Sequence, residues 1–244
     1  MERPLAVRHC MDCTACAVRA GSLAAGLDAA CLHRLDRTRV SHRYQRGQTL
    51  FYEGNPAGAV FCVGSAYAKV VRTAAHGRRH ALSVVGPGDV LGLEAVLTGQ
   101  PYGYGAEVLA EGVVCQLERT EVLDLAEHHP TFRRAAIQLL ADNLRQSQGE
   151  RAQLAGGDVR ERTAHVLLTL ATRFGEWSNG KLRLYIELSR EDLAEMIGVA
   201  VETAIRQLSE LRRRGILSTT GRSIVVEDPE RLARLARAGP APTR

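Results

Sequence analysis

Between residues 42 and 120 a glycine interrupts the chain every few positions: Gly47, Gly54, Gly58, Gly64, Gly77, Gly86, Gly88 and Gly92. No long helix fits between such breaks, because each glycine costs a helix interior about 1 kcal/mol and each can turn the backbone where other residues resist. The runs "AVFCVGSAYAKVV", "HALSVV", "DVLGLEAVL" and "GVVCQLE" are apolar and rich in valine, which fits strands of about 4 to 8 residues. Short strands with regular glycine turns predict a small antiparallel barrel or jelly roll.

The texture differs on either side. Residues 1–22 form an arm without periodicity, and the stretch from about Leu23 to Val40 has helical character. From Glu121 the pattern turns helical. "TFRRAAIQLLADNLRQSQGERAQL" places Phe132, Ala136, Leu140 and Leu144 on one stripe, and Gly156-Gly157 breaks it. That stripe is a candidate dimer seam, with packing onto the chain's own β-domain as the alternative. Beyond it, "DVRERTAHVLLTLATRFGE" predicts a helix, "KLRLYIELS" alternates like a strand, and "GILSTTGRSIVVED" predicts a hairpin turning near Thr220-Gly221. The expected organisation is an arm (1–22), a β-domain (23–128), a long helix (129–156) and a second domain (157–244).

Residues 189–217, "SREDLAEMIGVAVETAIRQLSELRRRGIL", predict two helices joined by a tight turn. Ser189 and Asp192 have capping-box spacing. Leu193, Met196 and Ile197 supply one buried face, Gly198 the turn, and Val201, Ile205, Leu208 and Leu211 the next. A short helix, a glycine turn and a second helix make a DNA-reading arrangement whose second helix enters the major groove by its N-terminal end. Glu202 and Arg206 lie four apart at that end. Arginine binds guanine O6 and N7, and glutamate accepts from cytosine N4; the plain alternative is an internal ion pair. Arg212 and Arg213 can meet phosphate or simply face water. The net charge of +5 permits nucleic-acid binding without arguing for it.

No run reaches the roughly 18 apolar residues of a spanning helix and no signal-peptide pattern opens the chain, so a cytoplasmic protein without a membrane partner is expected. There, six cysteines point to metal, redox chemistry or burial rather than disulfides. "HCMDCTAC" sets Cys10, Cys13 and Cys16 two residues apart, a spacing that can reach adjacent corners of an iron–sulfur cube. A fourth ligand must come from Cys31, Cys62 or Cys115; Cys31 and Cys62 are expected in the core. Zinc, with His9 joining, and thiols acting as a redox switch are the alternatives. No Ser-His-Asp set, P-loop or carboxylate pair stands out, so an enzyme is not expected.

Together these segments resemble the CRP/FNR family of bacterial transcription regulators. "RGQTLFYEGNPAGAVFCVGSAYAKV" is similar to the family's β-roll opening, "GDVLGLEAV" to its later turn and "VETAIRQLSELRRRGIL" to its recognition helix. The resemblance implies an α+β chain: a cupin-like antiparallel β-roll, a long dimerisation helix and a C-terminal winged helix-turn-helix. It implies a homodimer on double-stranded DNA and RNA polymerase as a partner. Cyclic-nucleotide members carry Gly-Glu and Arg-Ser pairs; here "GLEAV" and "QPYGYGAEV" stand instead, so cyclic AMP is not expected. The FNR branch holds an oxygen-responsive [4Fe–4S] cluster on three N-terminal cysteines and one late in the roll. That resemblance implies Cys10, Cys13, Cys16 and Cys115 as ligands; Ser22 stands where the third cysteine is usual, so either Cys10 or Cys31 replaces that ligand or the cluster is altered or lost. Haem, nitric oxide or a small molecule sensed with structural cysteines is the alternative. The family's E-x-x-S-R reading pattern matches Glu202 and Arg206, implying a TTGA-type half-site, with Thr203 between them and Ile205 in place of serine. Ser147 stands where an aspartate keeps the clusterless form apart.

Overall fold

The computed structural model describes residues 12–74, 77, 79–154 and 158–236. His9, Cys10 and the Gly156-Gly157 pair therefore lie outside the described residues. The chain divides into two compact units, residues up to 73 with 84–146, and residues from 147 onward with 74–83. The division falls inside the helix that spans Pro130–Leu154, upstream of the expected boundary at 157.

In the first unit, a 3-10 turn at Arg19–Gly21 precedes α1 (Ala29–Thr38), whose N-cap Asp28 accepts from the Cys31 N–H at 2.8 Å. The β-roll comprises β1 (Val40–Tyr44), β2 (Thr49–Phe51), β3 (Ala59–Val63), β4 (Tyr67–Thr73), β5 (Arg79–Val85, whose first five residues group with the second unit), β6 (Val90–Leu91), β7 (Gly105–Ala110) and β8 (Gly112–Glu118), with α2 (Leu93–Thr98) before β7. These strands form two four-stranded sheets, β1-β8-β3-β6 and β2-β7-β4-β5, and their described ladders are antiparallel. Two expected strands differ. "AVFCVGSAYAKVV" breaks at Gly64-Ser65 into β3 and β4, and "DVLGLEAVL" is strand only at Val90–Leu91. Gly92, at φ 77°, turns the chain there, and the helix-forming Leu-Glu-Ala run continues as α2.

The roll's interior is aromatic. Phe51 stacks on Phe61 at 5.1 Å and packs against Tyr102 at 4.2 Å. The Tyr102 hydroxyl donates to the Ala59 carbonyl at 2.5 Å and accepts from its N–H at 3.1 Å, so the ring is buried with its polar end satisfied. β8 runs close to the β3–β4 turn: a Cβ on Gly112 would collide with the Ala66 nitrogen and lie 2.5 Å from the Ser65 carbonyl carbon. Both are backbone atoms and cannot swing aside. Gly112→Ala is therefore expected to lower stability by at least about 1–3 kcal/mol; an unchanged thermal midpoint would contradict this packing.

α3 (Arg119–His128) and α4 (Pro130–Leu154) follow, with Pro130 as the first residue of α4. The expected seam needs correction at two positions. Phe132 and Ala136 are buried in the roll's own core, Phe132 with 0% exposure. The first turns of α4 lie against the β-domain, so their apolar residues are spent there. Leu139 and Leu140 also pack partly against that core. Ile137 (62% exposed), Leu144 (59%) and Ser147 face outward.

The second unit opens with α5 (Val159–Phe174), which Asp158 and Glu161 cap reciprocally. Then come β9 (Gly175–Ser178), β10 (Lys181–Leu184), α6 (Arg190–Ile197), α7 (Val201–Arg213), β11 (Leu217–Thr220), β12 (Ser223–Val226) and α8 (Pro229–Leu235). The strands form one sheet, β11-β12-β10-β9, and Gly221 (φ 60°) turns the β11–β12 wing. Among the described residues no helix is long and apolar enough to cross a membrane.

Candidate metal centre and nucleic-acid interface

The outer face of the β1-β8-β3 sheet carries a row of three small polar side chains in register: Ser41 opposite Cys115, and Cys115 opposite Cys62. The described part of the arm, from residue 12 on, lies over this face. Cys13 is fixed by its N–H, which donates to Asp36 Oδ1 at 3.0 Å. The Arg19 N–H donates to the Cys16 carbonyl at 3.1 Å, so a tight turn carries Cys16 onward toward Ser22. Between arm and sheet lies one cavity of about 50 Å³, lined by Cys13, Cys16, Ser22, Cys62 and Cys115 together with Leu23, Leu35 and Leu117.

Three of the four ligands expected from sequence thus meet around one space: Cys13 and Cys16 from the arm, Cys115 from β8. Cys10 lies outside the described residues. Ser22, at the position where the resemblance expects a third cysteine, lines the same cavity. Cys31 is core, as expected, buried in α1 and absent from the lining. Cys62 departs from expectation. Strand alternation sends Phe61 and Val63 into the core and leaves Cys62 half-buried on the outer face, toward Cys115. Its strand-like neighbours hid this, since the register joining it to Cys115 is a long-range fact.

One charged side chain reaches the cavity. Arg39 is only 8% exposed, pairs with Asp36 at 2.9 Å, and points Nη1 at Cys115 Sγ across 3.7 Å. Ser41 Oγ lies 3.4 Å from the same sulfur. Burial works against the guanidinium's charge, but the hydrogen bond to Asp36, then the Cys115 and Cys13 sulfurs, hold it above its ordinary range. Burial pushes the Cys13 thiol up to about 11, with Arg39 pulling the other way. A thiol in such a place gives up its proton only where a partner offsets the desolvation cost, as the bond to a soft metal does. Among the described residues no three His, Cys, Asp or Glu side chains are grouped to hold a metal ion. The cavity's donors are soft thiols in a mostly apolar lining, a set that suits an iron–sulfur cluster and that zinc also accepts.

The stretches "GLEAV" and "QPYGYGAEV" meet in the same unit. Tyr104 is tied to both: its hydroxyl accepts from the Gly92 N–H at 3.0 Å and lies 3.5 Å from Glu94 Oε2. Burial, then Glu94, raises the phenol well above its usual range, so it stays a neutral hydroxyl.

In the second unit the helix pair is built as its residues predict. Ser189 and Asp192 form the capping box, Gly198 (φ 75°) ends α6, and Ala200 caps α7 without any side-chain hydrogen bond. The buried stripe of α7 is Ala204, Leu208 and Leu211. Ile205 was expected in that stripe and is instead 44% exposed, because the stripe runs one residue earlier. It shares the outward face with Glu202 and Arg206, while Thr203 is half-buried. No ion pair joins Glu202 to Arg206 among the described residues. Arg213 and Arg214 both pair with Glu210, and Arg212 is exposed.

Residues 161–235 match the Crp-like helix-turn-helix domain and residues 41–129 the cyclic nucleotide-binding domain. The CRP-like cAMP-activated global transcriptional regulator of Mycobacterium tuberculosis is 31% identical over 212 residues, covering 87% of this chain and 95% of that protein. The fumarate and nitrate reduction regulatory protein of Escherichia coli is 25% identical over 229 residues, covering 93% and 90%. The solved structure of FixK2 from Bradyrhizobium japonicum superposes with a TM-score of 0.72 at 27% identity, covering 82% of this chain and 98% of that one.

Proposed function

This chain belongs to the CRP/FNR family of DNA-binding transcriptional regulators, and we propose that it is an iron–sulfur, oxygen-responsive member acting as a cytoplasmic homodimer. The observation that carries the reading is the cavity shared by Cys13, Cys16 and Cys115. Sequence spacing offers Cys10 as a candidate for the fourth thiolate, and it lies outside the described residues. A [4Fe–4S] cluster held there would supply an iron–sulfide core that oxygen can oxidise and break down. The chain's own part is to bind and insulate it. Leu23, Leu35 and Leu117 exclude water, Arg39 offsets thiolate charge beside Cys115, and Asp36 holds both Arg39 and the Cys13 backbone in place.

Ile137, Leu140, Leu144 and Ser147 alternate at three- and four-residue intervals along α4, the spacing of a two-helix seam. Ser147 brings no charge to it, so the clusterless chain dimerises more readily than a member with aspartate there. On DNA, Glu202 and Arg206 read a G·C pair of a palindromic TTGA-type site, Ile205 meets a thymine methyl, and Arg212 and Arg213 meet phosphates, placing the dimer beside RNA polymerase.

The likeness to a regulator whose name records cAMP activation favours a second reading, a nucleotide effector in the roll. The tie from Tyr104 to Gly92 and Glu94, together with the missing Arg-Ser pair, weighs against it.

Two measurements bear on these roles. Sedimentation and DNA affinity compared anaerobically and after exposure to air should show a DNA-binding dimer that weakens in air; equal affinity in both would reject oxygen control. Arg206→Ala should cost about 1–3 kcal/mol at one base pair and relax specificity there. Arg213→Ala should instead weaken all sequences together and flatten the salt slope by about 1. Equal changes in specificity for both variants would refute this docking.

A further inference from the structure

Resting on the cluster reading, we propose that Cys62 is a thiolate ligand of the iron–sulfur group, supplying the corner that sequence spacing gives to Cys10. Cys62 and Cys115 are directly opposed on the antiparallel pair β3–β8, so they share one face with Cβ atoms about 4.5–5.5 Å apart. Both line the cavity beneath the arm, and so do Cys13 and Cys16. Four thiols, two from a turn and two from neighbouring strands, therefore surround one dry space. Ser22, where the resemblance places a cysteine, also faces this space but offers only a hydroxyl, a poor ligand for a soft cluster. The corner left by that serine needs a thiolate already at the cavity wall, and Cys62 is there. Cys31 is not in the lining.

A cysteine on a strand facing apolar neighbours needs no such role if valine serves as well, and the test turns on that substitution. The full-length chain, its Cys62→Ser and Cys62→Val variants and a Cys10→Ser variant are reconstituted anaerobically with ferrous iron and sulfide. Iron and acid-labile sulfide are then counted per chain. The wild type should hold about four irons. Both Cys62 variants should lose iron and the low-temperature paramagnetic signature of the reduced cube, with unchanged circular dichroism in the iron-free state, while Cys10→Ser keeps wild-type iron. Full iron in either Cys62 variant, or loss of iron in Cys10→Ser, overturns the assignment. A further measurement needs no variant: alkylation of the wild-type chain should modify Cys62 in the iron-free form and spare it in the loaded form. Modification of Cys62 in the loaded form also overturns the assignment. A wild type that binds no iron defeats the cluster reading itself, a different outcome from any of these.

Discussion

Cys115→Ser is expected to strip the protein of its bound iron and, with it, of oxygen-dependent DNA binding. β8 holds Cys115 in the middle of a sheet, paired on both sides, so no other thiol can slide along the strand to replace it. Serine is small enough for the site, and Ser41 and Arg39 stand ready to hydrogen-bond its hydroxyl, so the roll should fold. The change therefore removes a ligand and leaves its support in place. Iron per chain should fall toward zero while circular dichroism stays that of the wild type. DNA affinity should no longer differ between anaerobic and aerated samples. Wild-type iron in this variant would place the cluster elsewhere or nowhere.

The second large effect separates stability from assembly. Phe132→Ala should cost about 3–5 kcal/mol of stability, the usual price of removing a fully buried aromatic ring. The ring sits in the first turn of α4 inside the roll's core, so its loss loosens the joint between helix and β-domain. Leu144→Glu, three turns on and exposed, should leave the thermal midpoint of the monomer nearly unchanged and abolish the dimer. Thermal unfolding and sedimentation of both variants decide between the two roles. A Phe132→Ala protein of wild-type stability, or a dimeric Leu144→Glu protein, would show that α4 packs otherwise.

Much of this architecture was legible from residues close together in the chain. The capping box at Ser189 and Asp192, the turn at Gly198 and the wing turn at Gly221 depend on local backbone chemistry, and each is where its residues predict. Interior packing was less legible. The stripe on α4 is continuous in sequence, yet its first half is buried by the chain itself and its second half is exposed; helical period cannot tell these apart. On α7 the apolar pattern allowed two phases one residue apart, and Ala204 rather than Ile205 proved to be inside. Cys62 was hidden for a related reason: alternation along β3 shows that it points away from Phe61 but not what lies opposite, which only the register with β8 settles. Arg39 gave no sequence signal, since an arginine at a helix end is ordinary until it is found buried beside a sulfur. The short α8, capped by Asp228 before Pro229, was too brief for periodicity to reveal.

Iron and acid-labile sulfide counted in anaerobically purified full-length protein test the central claim most directly. The account predicts a brown protein with about four of each per chain, bleaching in air. A colourless protein carrying one zinc per chain, or no metal, would contradict it.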